Sequence, residues 1–291
     1  MKVVAVCGGG GAKALAHAGA WRALAEAGLT PSWVVGTSMG AVIGAAFAAG
    51  QSYERILGHV RALEGETVAP LNPLSLVTGI FSEAVLLSSP LERAIERFVP
   101  AVSFADLGVP LVVTAVDLAT SRLVLFGGEV GAWGSGGGGP KLVTGVPLRL
   151  ALQASCALPV YYEPVTIFGR RYVDGGLRAV LPLEPARALF GSVADLVVAV
   201  DVGPGFDEIP SPHASGSIPQ LVRAHGEALR ILMAELTERS VAAWPPHAPR
   251  LVVVRAVAES EATFAAGEAE RYVEMGYEAT KRALETSQVV G

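Results

Sequence analysis

The sequence predicts an α/β fold with a mainly parallel central sheet and helices on both faces. Short Val-rich apolar runs recur along the chain. Segments with apolar residues at helical spacing separate them. Glycine-rich turns stand where such a run passes into such a segment. Strands alternating with helices build parallel sheets covered on both sides, because each crossover lays its helix against a face.

The run at 2–7 reads as the first strand, and Leu15, Ala18, Trp21, Arg22 and Leu24 give a helix over 13–27. A strand at 32–36 and helices at 38–49 and 53–64 follow. A loop-rich stretch leads to a helix at 90–98 and strands at 111–117 and 122–127. A short helix near 147–154, a strand at 171–173 and a helix at 183–190 come next. The C-terminal part reads as strand 196–202, helix 218–243, strand 251–255 and helix 262–286. No charged or low-complexity linker divides the chain and no internal repeat is visible, so residues 1–291 are expected to form one domain.

Gly36-Thr37-Ser38-Met39-Gly40 lies between an apolar strand and a buried helix. A serine so flanked by glycines reads as a nucleophile elbow, which presents its hydroxyl at a helix N-terminus. The helix dipole and unpaired N–H groups there favour developing negative charge. An ordinary glycine turn has the same composition. Ahead of it, the first strand runs into Gly8-Gly9-Gly10-Gly11-Ala12-Lys13. Consecutive glycines form a nest of outward N–H groups that binds an anion, either a phosphate or an oxyanion. A phosphate loop would need Gly-Lys-Ser/Thr, which is missing, and a dinucleotide fingerprint would need glycine where Ala14 stands. The oxyanion reading suits a neighbouring serine better. Asp174-Gly175-Gly176 follows a strand, where it serves as a plain turn or as an acidic group at a site.

A serine hydrolase needs a base. Of the five histidines, His17 and His59 lie in helical patterns and His213 and His247 in Pro-rich loops. His225 lies on the long C-terminal helix and, with Asp201, makes the runner-up triad.

Together these stretches resemble the patatin-like phospholipases, in their bacterial form. Gly9–Lys13, Gly36–Gly40 and Asp174–Gly176 match the family's three signatures in order and spacing. Val113–Ser121 resembles its central strand and turn, and Ala154–Pro159 its fourth block. The resemblance covers roughly residues 1 to 285. Two departures stand out: Lys13 where the family usually has Arg, and Ala14 where it has Gly. Lys keeps the charge and loses the planar fork.

The resemblance implies a three-layer sandwich and a lipid acyl hydrolase of the phospholipase A or lysophospholipase type. It implies Ser38 as nucleophile and Asp174 as base. The oxyanion hole would be drawn from Gly9, Gly10, Gly11 and Lys13, and Gly36, Gly40, Gly175 and Gly176 would shape the turns. No metal and no cofactor are required. Lys13 either adds positive charge near the oxyanion or is a solvated first-turn lysine. An esterase or acyltransferase on non-lipid acyl groups is the alternative, as is a regulatory member with little turnover.

The chain is 51% apolar and 17% charged, which allows a large core. Its net charge of −5 argues against nucleic acid and against electrostatic attraction to anionic membranes, so any membrane contact should be hydrophobic and transient. Cys7 and Cys156 are too few for a disulfide framework and read as core residues, consistent with a reducing compartment. The charge-free stretch between Ala27 and Tyr53 is broken by Pro31, polar residues and glycines, so it parses as strand, elbow and helix, not as a membrane span. A cytoplasmic protein, at most peripheral to a membrane, is expected. The apolar stretch 69–90 with Phe81 and the glycine-rich loop 127–140 with Trp133 are candidate lids, against a packed connection and a surface loop.

Overall fold

The computed structural model describes residues 1–63, 84, 86–101, 103–128, 140–204, 220–257 and 269–289. The candidate lid residues Phe81 and Trp133 lie outside the described residues, as does His213.

Seven strands form a continuous ladder. In chain order the strands are β1 (Val3–Cys7), β2 (Pro31–Gly36), β3 (Leu111–Asp117), β4 (Arg122–Gly127), β5 (Lys141–Val143), β6 (Val165–Ile167), β7 (Arg170–Asp174), β8 (Leu196–Asp201) and β9 (Arg250–Arg255). The ladder order is β5-β4-β3-β2-β1-β8-β9, with β7 attached to β3 and β6 to β7. The helices are α1 (Ala16–Glu26), α2 (Ser38–Ala48), α3 (Tyr53–Leu63), α4 (Ser88–Phe98), α5 (Leu148–Cys156), α6 (Gly176–Ala179), α7 (Leu183–Phe190), α8 (Gln220–Ala242) and α9 (Ala269–Thr286). A 3-10 turn over Gly11–Leu15 precedes α1, where a single helix over 13–27 was expected. The short strands β5 and β6 were not anticipated, nor was α6.

Helices cover both faces. Val3 and Cys7 of β1 join Val34, Val113 and Val198 in a core that takes in α1, α2, α5 and α9. Val4 and Val6 point the other way, with Val35, Val112 and Val197, into a second core closed by Leu183, Ala186 and Phe190 of α7. The period of two along each strand produces this division. Strands buried on both faces read as unbroken apolar runs, which is why β1, β3 and β8 stand out in the sequence.

The sheet is mixed. β1, β2, β3, β8 and β9 run parallel. β4 and β7 run antiparallel to β3. One edge of β3 is shared: Leu111, Val112 and Val113 pair with β2, whereas Ala115, Val116 and Asp117 pair with β7. β2 therefore ends where β7, coming from the opposite direction, also ends. The residues after Gly36 and the residues around Asp174 are driven head-on towards each other beside Thr114.

α1 and α9 touch backbone to backbone. A Cβ on Gly276 would stand 2.0 Å from the carbonyl oxygen of Ala16, and one on Gly19 would stand 1.8 Å from that of Val273. Gly276→Ala should therefore destabilise the fold by about 1–3 kcal/mol, although alanine is worth about 1 kcal/mol more than glycine in a free helix. Urea unfolding checks this: a midpoint at or above that of the parent would show that the helices separate at no cost.

Candidate active site

The elbow is held from several sides. Thr37 is extended, with φ −124° and ψ 135°, and Ser38 is left-handed at φ 54°. That conformation costs a non-glycine residue about 1–2 kcal/mol, so its surroundings must enforce it. The N–H of Thr37 donates to the Cys7 carbonyl at 3.1 Å. Its hydroxyl donates to the Ala179 carbonyl at 2.8 Å, which leaves it to accept from the Thr114 hydroxyl at 2.7 Å. The N–H of Ser38 donates to the hydroxyl oxygen of Ser155 at 2.8 Å. Ser155 is fully buried on α5, so the acceptor side of this part-buried contact is shielded from water.

Glycine is needed here because backbones cross. A Cβ on Gly40 would stand 2.2 Å from the Gly8 carbonyl oxygen, so only glycine lets α2 start against the end of β1. A Cβ on Gly175 would stand 2.1 Å from the Thr114 hydroxyl, closing the space in which β7 meets β2. Gly36 is equally confined, with Ala41 as the obstacle, and Gly176 supplies an N–H.

Ser38 Oγ donates to Asp174 Oδ2 at 2.8 Å. The other carboxylate oxygen, Oδ1, accepts the Gly176 N–H at 2.7 Å. Asp174 is 4% exposed. Burial pushes its carboxyl up to about 7, against the opposing pull of the Gly176 N–H and the Ser38 hydroxyl. The neighbouring Cys156 is buried, and desolvation, with Asp174 nearby, keeps its thiol well above the usual range and protonated.

The glycine-rich segment crosses beside the serine: a Cβ on Gly9 would stand 3.2 Å from Ser38 Cβ. Its members are not equivalent. Gly8 N–H donates to Val200 at 3.0 Å and Gly9 N–H to Val180 at 2.9 Å. Gly9 therefore lines the turn without an N–H to offer an oxyanion. Among the described residues no hydrogen bond engages the N–H of Gly10 or of Gly11. Lys13 is 1% exposed, so the solvated-lysine reading is overturned. Its N–H closes the turn on the Gly10 carbonyl at 3.2 Å.

His17, read from the sequence only as part of a helix, is buried with Nε2 2.8 Å from the Gly8 carbonyl oxygen. Desolvation lowers it to about 4, against the pull of that hydrogen bond, so the neutral ring donates from Nε2. Ser155 lies in the fourth block, but its role as acceptor for Ser38 had no signature in spacing. The runner-up pairing does not form. Asp201 takes the Gly203 N–H at 3.0 Å and faces Arg255 at 3.7 Å, and His225 Nε2 has no hydrogen-bond partner among the described residues.

Among the described residues, no group of three or more His, Cys, Asp or Glu side chains is arranged to hold a metal ion. No helix among them is long and apolar enough to cross a membrane.

The sequence profile of patatin-like phospholipases matches residues 5–187, more than half of the chain. The protein belongs to the patatin-like phospholipase family. An uncharacterised NTE family protein of Mycobacterium bovis is 30% identical over 215 residues, 72% of this chain and 53% of that protein. Human patatin-like phospholipase domain-containing protein 6 is 30% identical over 203 residues, 69% of this chain and 13% of its own length. The chain thus spans about half the length of the mycobacterial relatives. Human GIVD cytosolic phospholipase A2, solved with a methyl γ-linolenyl fluorophosphonate inhibitor, shares the fold at 14% identity and a TM-score of 0.50. That alignment covers 98% of this chain and 59% of the human protein. The patatin-like signatures therefore sit on a fold shared with that protein, with Lys13 buried beside the glycine-rich turn.

The raised Asp174 carboxyl has a consequence for stability. In the unfolded chain it titrates near 3.9; in the patatin-like fold it holds its proton up to about 7. Between those values the folded state binds the extra proton, so stability falls as pH rises through this window. Asp174→Asn removes that cost and should stabilise the protein at pH ~8 by about 2–4 kcal/mol, with little gain near pH ~4. Denaturant unfolding at both pH values checks it; an equal effect at both would mean the carboxyl titrates normally.

Proposed function

We propose that the protein is a serine lipid acyl hydrolase, a carboxylic ester hydrolase of the phospholipase A or lysophospholipase type, working through Ser38 and Asp174. The observation that carries the reading is the 2.8 Å hydrogen bond from the Ser38 hydroxyl to a buried carboxyl that titrates near 7. A carboxylate at the ordinary value is a weak base, and one raised towards neutrality is better matched to the task.

Asp174 takes the proton as Ser38 Oγ attacks the ester carbonyl. The carbonyl oxygen becomes an oxyanion beside the Gly10 and Gly11 N–H groups, at the N-terminal end of α2. Asp174 gives its proton to the leaving alcohol, and an acyl-enzyme remains. Water, deprotonated by the same carboxylate, releases the acid and restores both groups. Ser155 acts on this sequence as a positioning residue, since it holds the N–H of the strained serine. The chemistry as written needs no metal or cofactor. One domain over residues 1–291, a cytoplasmic setting and transient contact with lipid surfaces complete the proposal.

Ser38→Ala should abolish ester hydrolysis and fluorophosphonate labelling without unfolding the protein. Asp174→Asn should lower kcat by about 10³-fold or more, whereas His225→Ala should keep substantial activity. Labelling at another serine would sink the nucleophile assignment, and His225→Ala as damaging as Asp174→Asn would restore the runner-up pairing. Turnover of phospholipid against a short-chain soluble ester tests the substrate class; hydrolysis of the soluble ester alone would favour a non-lipid esterase.

Ser155→Ala should slow fluorophosphonate labelling about tenfold, the effect of losing one buried hydrogen bond. An unchanged labelling rate would show that backbone packing alone holds the elbow.

A further inference from the structure

A cleft of about 600 Å³ opens on the side of the sheet covered by α7 and α8. α2 and α5 pack on the other face of the sheet, and the cleft meets the elbow through Ala179, whose carbonyl accepts the Thr37 hydroxyl. Four cationic side chains from four different elements converge on the cleft: Arg122 of β4, Lys141 of β5, Arg170 of β7 and Arg178 of α6. Its carboxylates are Asp117 and Glu184.

Their pairing is uneven. Arg170 engages Asp117, whose Oδ1 also accepts the Ala119 N–H at 2.9 Å and the Thr120 N–H at 3.3 Å. Asp117 is therefore engaged by Arg170 and two backbone N–H groups. Arg122, Lys141 and Arg178 have no side-chain ion pair or hydrogen bond among the described residues. Among the described lining residues, only Glu184 then opposes an incoming anion. In a chain of net charge −5, three cations without an ion-pair partner among the described residues, in one concavity, run against the overall sign. Like charges brought together without a counter-ion repel one another, and an anion among them relieves that repulsion.

The dimensions and the chemistry narrow the ligand. The volume falls in the range of small-molecule sites, about 300–1,000 Å³. Two guanidinium groups offer planar forks that match phosphate oxygens in pairs, and the lysine adds a point charge. We propose that this cleft binds a compact, multiply charged phosphate group. The same chemistry is carried by a soluble phosphorylated molecule and by an anionic phospholipid headgroup.

The test uses the full chain. Titration calorimetry with pyrophosphate at low ionic strength reports the soluble source. Flotation with phosphatidylcholine vesicles, with and without phosphatidic acid, reports the headgroup. Pyrophosphate binding should be weakened about tenfold or more in Arg122→Gln/Lys141→Gln/Arg178→Gln. It should be unchanged in Arg250→Gln, which removes an exposed charge on β9. The triple variant should keep the thermal unfolding and Ser38 labelling of the parent; if it does not fold, Arg122→Gln and Arg178→Gln singly should each weaken binding about threefold. Binding only to vesicles with phosphatidic acid, lost in the same variants, would assign the site to a headgroup. No binding by either probe, or equal binding by parent and cleft variants, would overturn the proposal. So would an Arg250→Gln loss as large as theirs, because general surface charge would then explain the effect. None of these results depends on whether Ser38 hydrolyses lipid.

Discussion

The division of one edge of β3 between two strands is the constraint on which the site depends. β2 arrives parallel and occupies Leu111–Val113, and β7 arrives antiparallel and occupies Ala115–Asp117. Backbone ladders fix strand positions along their length, so the two chain ends have no freedom to miss each other. Thr114 lies at the seam, bonded to Thr37 on one side and limiting Gly175 on the other. A serine from one strand end and a carboxylate from the other meet at 2.8 Å as a result. The long-range pairing of the sheet, more than any local feature of the elbow, sets the geometry that the proposed chemistry uses.

Around that seam the fold tolerates features that work against stability. Ser38 is held left-handed, and Asp174 is buried with no cation paired to it among the described residues. Strained backbone and a desolvated carboxyl persist only where packing over-determines them. Here the enforcement is visible: Ser155 takes the Ser38 N–H, three hydrogen bonds fix Thr37, and His17 secures the Gly8 carbonyl. A hydroxyl poised against a base of raised pKa is the return on that cost. The glycine segment shows the same economy. Gly8 and Gly9 spend their N–H groups on β8 and on Val180, and Gly10 and Gly11 keep theirs.

Much of this was legible in the sequence. β1, β3 and β8 are buried on both faces, and their Val-rich runs show it without further context. The Gly-Thr-Ser-Met-Gly elbow and the Asp-Gly-Gly turn were readable because backbone crossings at Gly40 and Gly175 exclude every other residue. What depends on partners distant in sequence was not readable. β5 and β6 are three residues each, too short for a period, and exist because β4 and β7 pair with them. The antiparallel sense of β7 leaves no mark on its own five residues. The burial of Lys13, on a turn packed against α2 and α9, and the engagement of the Gly9 N–H by Val180 depend on partners distant in sequence, which local sequence does not encode. His17 offered no pattern, since a histidine on a helix has the same spacing whether it caps a carbonyl or faces water.

The central claim is that Asp174, raised by burial, is the group that activates Ser38. The pH dependence of fluorophosphonate labelling at Ser38 tests it most directly, because labelling needs the activated hydroxyl and not a complete turnover. The labelling rate should rise with pH, follow a single titration centred near 7, and lose that titration in Asp174→Asn. A midpoint near about 4, the value of an ordinary aspartate, or a titration near neutrality that survives Asp174→Asn, would contradict the account.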